Sequence, residues 1–263
     1  MDTNYYLTPT EQKIVSVIDE ALFIDKASLK ETLPEVKDKN LDKCISSLIM
    51  KGELLRLKNG FYVASGKRGL DTTLIYKAAP QVYGGYIAFD TALKVHELLD
   101  YETFTIMVAT PKRSGIIALG AYEVQYVSIG TRCRGQIIID DIWVSDLEKT
   151  IFDCFYKPQH SGGYQNLTKA LLQMRNFSWE KFGFYLDKMG TDPMRQRVGF
   201  IVSNIFDRGS SEDVDAFLSR LKVSVRTPTR LAPSLMLKGK MDREWKVQDN
   251  LGPEVWRGGR YGF

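Results

Sequence analysis

The sequence predicts an α+β protein on three observations. Short amphipathic helices fill residues 8–50 and give way to a hairpin pattern. From Gly84 onward, stretches with strand and helix periodicity alternate. The composition is that of a folded chain, with 44% hydrophobic and 26% charged residues over 263 positions. Disorder would require fewer apolar residues and a larger net charge. The 36 basic and 32 acidic residues leave only +4, so the distribution of charge says more about partners than its total. Cys44, Cys133 and Cys154 are widely spaced and odd in number, a poor disulfide framework that fits a reducing cytosol. With no CxxC pair and only His96 and His160, no metal or other cofactor is expected. The opening residues carry no basic or apolar leader pattern, and no apolar run approaches the ~20 residues of a membrane span. The expected location is the cytoplasm, with no membrane partner.

The first seventy residues read as three helices and a hairpin. Thr8 caps a helix that starts at Pro9, and Glu11 stands three residues on to complete a capping box. Ile14, Val15, Ile18, Ala21 and Leu22 follow at helical spacing. A short second helix is predicted from Ala27 to Leu33, before Pro34. In the third, Leu41, Cys44, Ile45, Leu48 and Ile49 make one apolar stripe, and Gly52 ends it. Strands at Glu53–Leu57 and Phe61–Val63 are joined by Lys58-Asn59-Gly60, whose Asn-Gly pair suits a tight turn. This order is that of a winged helix-turn-helix. The predicted architecture is therefore such a module at residues 1–66, a connector at 67–83 and a larger mixed α/β domain at 84–263.

The polar face of the third helix points to DNA. Lys39, Lys43, Ser46, Ser47 and Met50 lie opposite the apolar stripe, with Asn40 near the helix start. Such a helix fits a major groove, with its first residues at base edges. Asn40 is suited to adenine. Lys39, Lys43 and Lys51 are suited to guanine edges or phosphates. Arg56, Lys58 and Asn59, with Lys67 and Arg68, would set the wing on the backbone or in the minor groove. Residues 26–68 hold ten basic and five acidic side chains, a local excess larger than that of the whole chain, and phosphate neutralisation supplies much of DNA affinity. Asp38 and Asp42 oppose it. A docking module with a merely solvated basic face is the competing reading.

Further along, helices are predicted at Thr72–Ala78, Ile87–Leu99, Ser145–Phe155, Tyr164–Met174, Trp179–Met189, Asp192–Ile205 and Glu212–Leu221. Strands are predicted at Thr103–Ala109, Tyr122–Ile129, Gln136–Ile139 and Ile142–Val144. Ser145 and Glu148 are read as a second capping box, and Ser178 as the cap of the helix that follows it.

Several stretches here resemble the AbiEi-type antitoxins of type IV toxin–antitoxin, or abortive infection, systems. They are Tyr86–Leu99, Val144-Ser-Asp-Leu-Glu-Lys-Thr-Ile-Phe-Asp-Cys154, the glycines closing Pro158–Gly163, Arg195-Gln-Arg-Val-Gly-Phe-Ile-Val202, and Gly239 with Trp245 and Asn250. They occur in the family's order across nearly the whole chain. Lys149 stands where Arg is common in the family. The resemblance implies a regulator of viral defence in two parts. The winged helix would repress its own operon at inverted repeats in double-stranded DNA. The second domain would serve to neutralise a nucleotidyltransferase-like toxin.

Other patterns suggest chemistry without completing it. Asp140, Asp141, Glu148, Lys149 and Asp153 gather acids and a lysine, but a metal-dependent nuclease needs a carboxylate-x-Lys triplet that is absent. Asp153 is expected to pair with a base such as Arg195 or Arg197. Gly209-Ser210 and Asp213-Val-Asp215 lie too close together for a nucleotidyltransferase site and suit a helix cap. His96 is expected as a satisfied, half-buried side chain. Cys133, between Arg132 and Arg134, lacks a second redox element. Tyr83, Tyr86, Trp179, Phe182, Phe184 and Tyr185 are expected as core and interface residues, not as a base-stacking platform. From Arg220 to Phe263 ten basic residues face four acids, which suits an acidic toxin surface, flanking DNA or a solvated edge. The expectation is a DNA-binding autorepressor and antitoxin, not an enzyme. Its rivals are an interaction protein that only sequesters a partner, and a metal-dependent nuclease using Asp140, Asp141 or Asp153.

Overall fold

A computed structural model describes residues 6–21, 23–58, 60–64, 72–101, 103–119, 121–207, 209, 211–223 and 225–257. Leu22, Asn59, Lys67, Arg68, Ser210 and the side chain of Lys58 lie outside the described residues. The protein is α+β. It divides into two compact units that interleave along the chain. One unit comprises residues 1–87, 103–133 and 139–143, the other residues 88–102, 134–138 and 144–263.

The first unit opens with α1 (Pro9–Ala21), β1 (Phe23–Asp25), α2 (Lys26–Thr32), α3 (Asp38–Met50), β2 (Leu54–Lys58) and β3 (Phe61–Ala64). The expected capping box starts α1: the Thr8 amide donates to Glu11 Oε2 at 2.8 Å, and the Glu11 amide donates to Thr8 Oγ1 at 3.3 Å. Asp25 caps α2 by accepting from the amides of Ala27 and Ser28. β1 was not expected. Its three residues are too few to show a period, yet it pairs antiparallel with β3, giving an antiparallel sheet in the order β1-β3-β2. Ile14, Ile18, Leu29, Leu41, Ile45 and Leu48 close the core between the helices and this sheet.

α4 (Thr72–Tyr83) runs past the expected end at Ala78, with Pro80 inside it. A second sheet in this unit places β6 (Gly115–Leu119), β7 (Tyr122–Ser128), β5 (Thr105–Thr110) and β4 (Tyr86–Ile87) in that order. β5 and β7 are parallel, and the other pairs are antiparallel. Gly85 permits the start of β4: a Cβ there would sit 1.9 Å from the Ala109 carbonyl oxygen. β4 and β6 were missed, and the helix expected over Ile87–Leu99 is confined to α5 (Phe89–Val95), because Tyr86 and Ile87 pair with Ala109 and Val108 instead. β8 (Gln136–Ile139) and β9 (Ile142–Ser145) follow, joined by Asp140 and Asp141 at φ 49° and 64°.

The second unit is mainly helical: α5, α6 (Leu147–Tyr156), α7 (Gly163–Gln173), α8 (Trp179–Met189), α9 (Asp192–Ile205), α10 (Glu212–Lys222) and α11 (Pro253–Trp256). Its core is aromatic. Phe182 stacks on Phe217 with centroids 5.4 Å apart, and Trp179 tilts onto Phe217 at 4.9 Å. A small sheet in the order β10 (Thr229–Arg230), β12 (Val247–Asp249), β11 (Lys240–Asp242) completes it. None of these three strands was expected, since each is two or three residues long. Among the described residues, no helix is long and apolar enough to cross a membrane.

Candidate nucleic-acid interface

α3 buries Leu41, Ile45 and Leu48. Their side chains fix the helix on the core and turn its other face outward. Lys39, Lys43, Ser46 and Met50, separated by four, three and four residues, form one exposed stripe on that face. Asn40, also exposed, stands beside its start. Met50 is 81% exposed, a large apolar group at the end of a cationic row. Arg56 is exposed on β2, its guanidinium 5.8 Å from the Tyr62 ring centroid.

The two acids of α3 are held by α2. Lys26 pairs with Asp42 at 2.5 Å, and Lys30 with Asp38 at 2.8 Å. The hydrogen bonds and nearby charge of Lys30 hold the Asp38 carboxyl below its ordinary range. Each pair matches the other at a spacing of four residues, so the two helices face one another through a double ion pair. The sequence carried this signal as Lys26/Lys30 against Asp38/Asp42, and counting charge alone missed it. Lys39 and Lys43 form no ion pair among the described residues.

Two residues expected at DNA turn elsewhere. Lys51 Nζ lies 2.8 Å from both carboxylate oxygens of Glu11 and 3.1 Å from the Tyr6 carbonyl. Ser47 is half-buried and favours the ionised form of Glu11. Burial alone would raise the Glu11 pKa, but hydrogen bonds from Lys51, Ser47 and Thr8 outweigh it and hold the carboxyl at about 2. Lys51 thus secures the end of α3 against α1. Of the expected wing residues, Arg56 is the one whose side chain the structure describes.

The acids and lysine around α6 form a closed network in the second unit. Asp146, not Ser145, caps α6, accepting from the Lys149 amide at 2.8 Å. The Ser145 hydroxyl instead shares a 2.7 Å hydrogen bond with Thr150. Glu148 does not close a box: it accepts from the Ser178 amide at 2.9 Å and pairs with Lys181 at 2.9 Å. Burial works against its ionisation, yet these donors hold its pKa below the usual carboxylate value. Tyr185 donates to Asp146 at 2.5 Å, and burial followed by this bond pushes the phenol pKa up. Asp153 pairs with Lys149 one helical turn away, both wholly buried, and Lys149 Nζ lies 4.9 Å from the Phe152 ring centroid. The expected partners are engaged elsewhere: Arg195 with Asp192 and the Leu186 carbonyl, Arg197 with the Arg230 carbonyl. Burial also raises the Asp90 carboxyl to about 6.

The remaining family-like segments are structural in the same way. A Cβ on Gly199 would meet the Trp245 ring at 2.1 Å, so the indole lies directly on α9. Trp245 Nε1 donates to Ser203 Oγ at 2.9 Å. Gly239 approaches the Asp249 carbonyl so closely that a Cβ would sit 1.7 Å from it. Asn250 accepts from the Ala232 amide and donates to the carbonyls of Ala232 and Leu235. His96 is half-buried, with Nε2 2.7 Å from the Ser145 carbonyl oxygen. Cys133 is half-buried, with Sγ 3.7 Å from the Ala109 carbonyl. Asp215 accepts from the Gly209 amide at 2.9 Å at the start of α10, and Ser211 makes no side-chain cap bond. Among the aromatics expected in core or interface, Phe184 is 53% exposed. Among the described residues, no group of three or more His, Cys, Asp or Glu is placed to hold a metal ion.

No family model matches the chain, and no curated protein matches it. Among solved structures, the crystal structure of the RV2827C protein from Mycobacterium tuberculosis is similar, with a TM-score of 0.66 and 18% identity over 97% of this chain and 96% of that chain. At that identity the likeness establishes a shared α+β fold.

Proposed function

We propose that this protein is a DNA-binding transcriptional autorepressor and the antitoxin of a type IV phage-defence pair. Residues 7–64 serve as a winged helix-turn-helix whose third helix, α3, enters the major groove of an operator. The observation that supports this most is the exposed row of Lys39, Lys43, Ser46 and Met50 with the neighbouring acids already paired by Lys26 and Lys30. Those pairs remove the local repulsion that Asp38 and Asp42 would offer to phosphates. Arg56 then holds the backbone from the adjoining hairpin. The antitoxin half of the reading rests on the ordered segment resemblance, which covers both units and implies a nucleotidyltransferase-like partner.

The test is electrophoretic mobility of the DNA upstream of the protein's own gene, beside a shuffled duplex of equal length. The reading expects preference for the native duplex, and loss of that preference in the Lys39→Ala, Lys43→Ala double variant. Equal retention of both duplexes by the wild-type protein removes the repressor role. Co-expression with an adjacent nucleotidyltransferase gene tests the antitoxin role separately: rescue of growth is expected.

A further inference from the structure

We infer that the first unit holds duplex DNA at a second place: the loop of residues 111–114, through Lys112 and Arg113, binds the phosphate backbone of the duplex that α3 enters. The inference rests on the DNA reading of α3 and extends its footprint. β5 and β7 run parallel with Thr110 opposite Ser128, so their carboxyl ends lie together. The antiparallel β4 begins at the same end, where Tyr86 pairs with Ala109. Three connections gather there: residues 84–85, the loop 111–114 and the Gly130–Arg132 turn. They carry Lys112, Arg113 and Arg132, and none of them holds an acid. Lys112 and Arg113 are exposed and form no ion pair among the described residues. Glu123 lies at the opposite end of β7. Asp140 and Asp141 precede β9, two strands from β5 in the sheet order, and Asp141 pairs with Lys77 at 3.2 Å. The end of the sheet that the loop caps is therefore cationic, and its complement is a row of phosphates.

The loop is held at both ends. The Thr110 hydroxyl donates to the Tyr83 carbonyl at 3.1 Å and accepts from the Lys112 amide at 3.2 Å. Ser114 Oγ accepts from the Ser128 amide at 2.9 Å. Its two cations thus stand on fixed backbone, which lowers the ordering cost of binding. A major groove admits a helix or a β-ribbon, so a short loop at the end of a sheet meets the backbone beside the groove. Phosphate contacts of this kind position a protein without reading sequence. The loop also stands near the wing. β6, which follows it from Gly115, packs against β2, the strand that carries Arg56. A strand the length of β6 spans about 17 Å, half of the ~34 Å covered by one turn of duplex. One duplex therefore reaches both Arg56 and the loop.

The probes are the labelled duplex upstream of the protein's own gene and a shuffled duplex of equal length, each titrated by anisotropy against the full chain. Lys112→Ala with Arg113→Ala should weaken binding of both duplexes by the same factor, about tenfold, and lower the salt slope by about two. It should keep the preference for the native duplex and the thermal midpoint. The control is Lys238→Ala with Lys240→Ala, which removes equal charge at exposed positions of the second unit. It should leave both affinities within about twofold, because exposed charges beyond a Debye length are screened. Unchanged affinity of the loop variant, an equal loss in the control, or a loss confined to the native duplex overturns the loop contact. An unchanged loop variant beside a wild type that prefers the native duplex overturns the loop alone and leaves the repressor reading. A wild type without preference, and a loop variant weaker on both duplexes, does the reverse. A wild type that binds neither duplex overturns both.

Discussion

Lys43, on α3, and Lys51, the residue that caps its end, lie eight residues apart and are placed differently. Lys43 is exposed, whereas Lys51 reaches Glu11, which is 2% exposed, at 2.8 Å. Lys43→Ala should therefore weaken DNA binding and leave the unfolding midpoint unchanged. Glu11→Gln should lower stability by about 2 kcal/mol at pH 7, because breaking a hydrogen-bonded, partly buried pair leaves Lys51 uncompensated. The sign of the pH dependence follows from the lowered pKa. Glu11 titrates at about 2 in the folded chain against an ordinary 4.5, so its contribution is complete above pH 4.5 and is lost as pH falls toward 2. Urea midpoints for wild type and Glu11→Gln should converge over that interval. A constant difference would mean that the carboxylate charge is not what Lys51 holds.

At the scale of elements, α6 and α9 carry the clearest consequences. Lys149 and Asp153 are one turn apart and wholly buried. Lys149→Met alone should cost about 3–5 kcal/mol, because it removes the cation paired with a wholly buried carboxylate, while Lys149→Met with Asp153→Leu should recover much of that loss. Chemical denaturation of both variants checks this. Gly199→Ala places a methyl 2.1 Å from the Trp245 ring, so the indole must leave its seat on α9. A destabilisation of about 1–3 kcal/mol, with a shift of tryptophan fluorescence, is the expected result. The longer elements were legible because their signals are local. The Thr8–Glu11 box, the stripe on α3 and the Ser178 cap each sit within a few residues of sequence. β1, β4 and β10–β12 were not legible, since two or three residues cannot show a period and exist as strands only through distant partners. The α6 cap failed for a related reason. Ser145, Asp146 and Glu148 all suit a helix start, and the choice of Asp146 is reinforced by Tyr185 and Lys181, which lie more than thirty residues away.

For the molecule as a whole, the site residues divide by the same rule. Lys39, Asn40, Lys43 and Ser46 could be placed outward from helical spacing alone. That Lys51 turns to Glu11 and Ser47 is half-buried depends on how α1 packs on α3, which no spacing within α3 reveals. In the segments resembling the antitoxin family, Glu148, Lys149, Asp153, Gly199, Trp245 and Asn250 hold the second unit together. The account depends on α3 being a cationic reader of duplex DNA. The most direct measurement is anisotropy titration of the labelled upstream duplex at about 50 and 200 mM salt. The account predicts a steep fall in affinity with salt for the wild type and a shallower slope for the Lys39→Ala, Lys43→Ala variant. A salt slope unchanged by those two substitutions would contradict it.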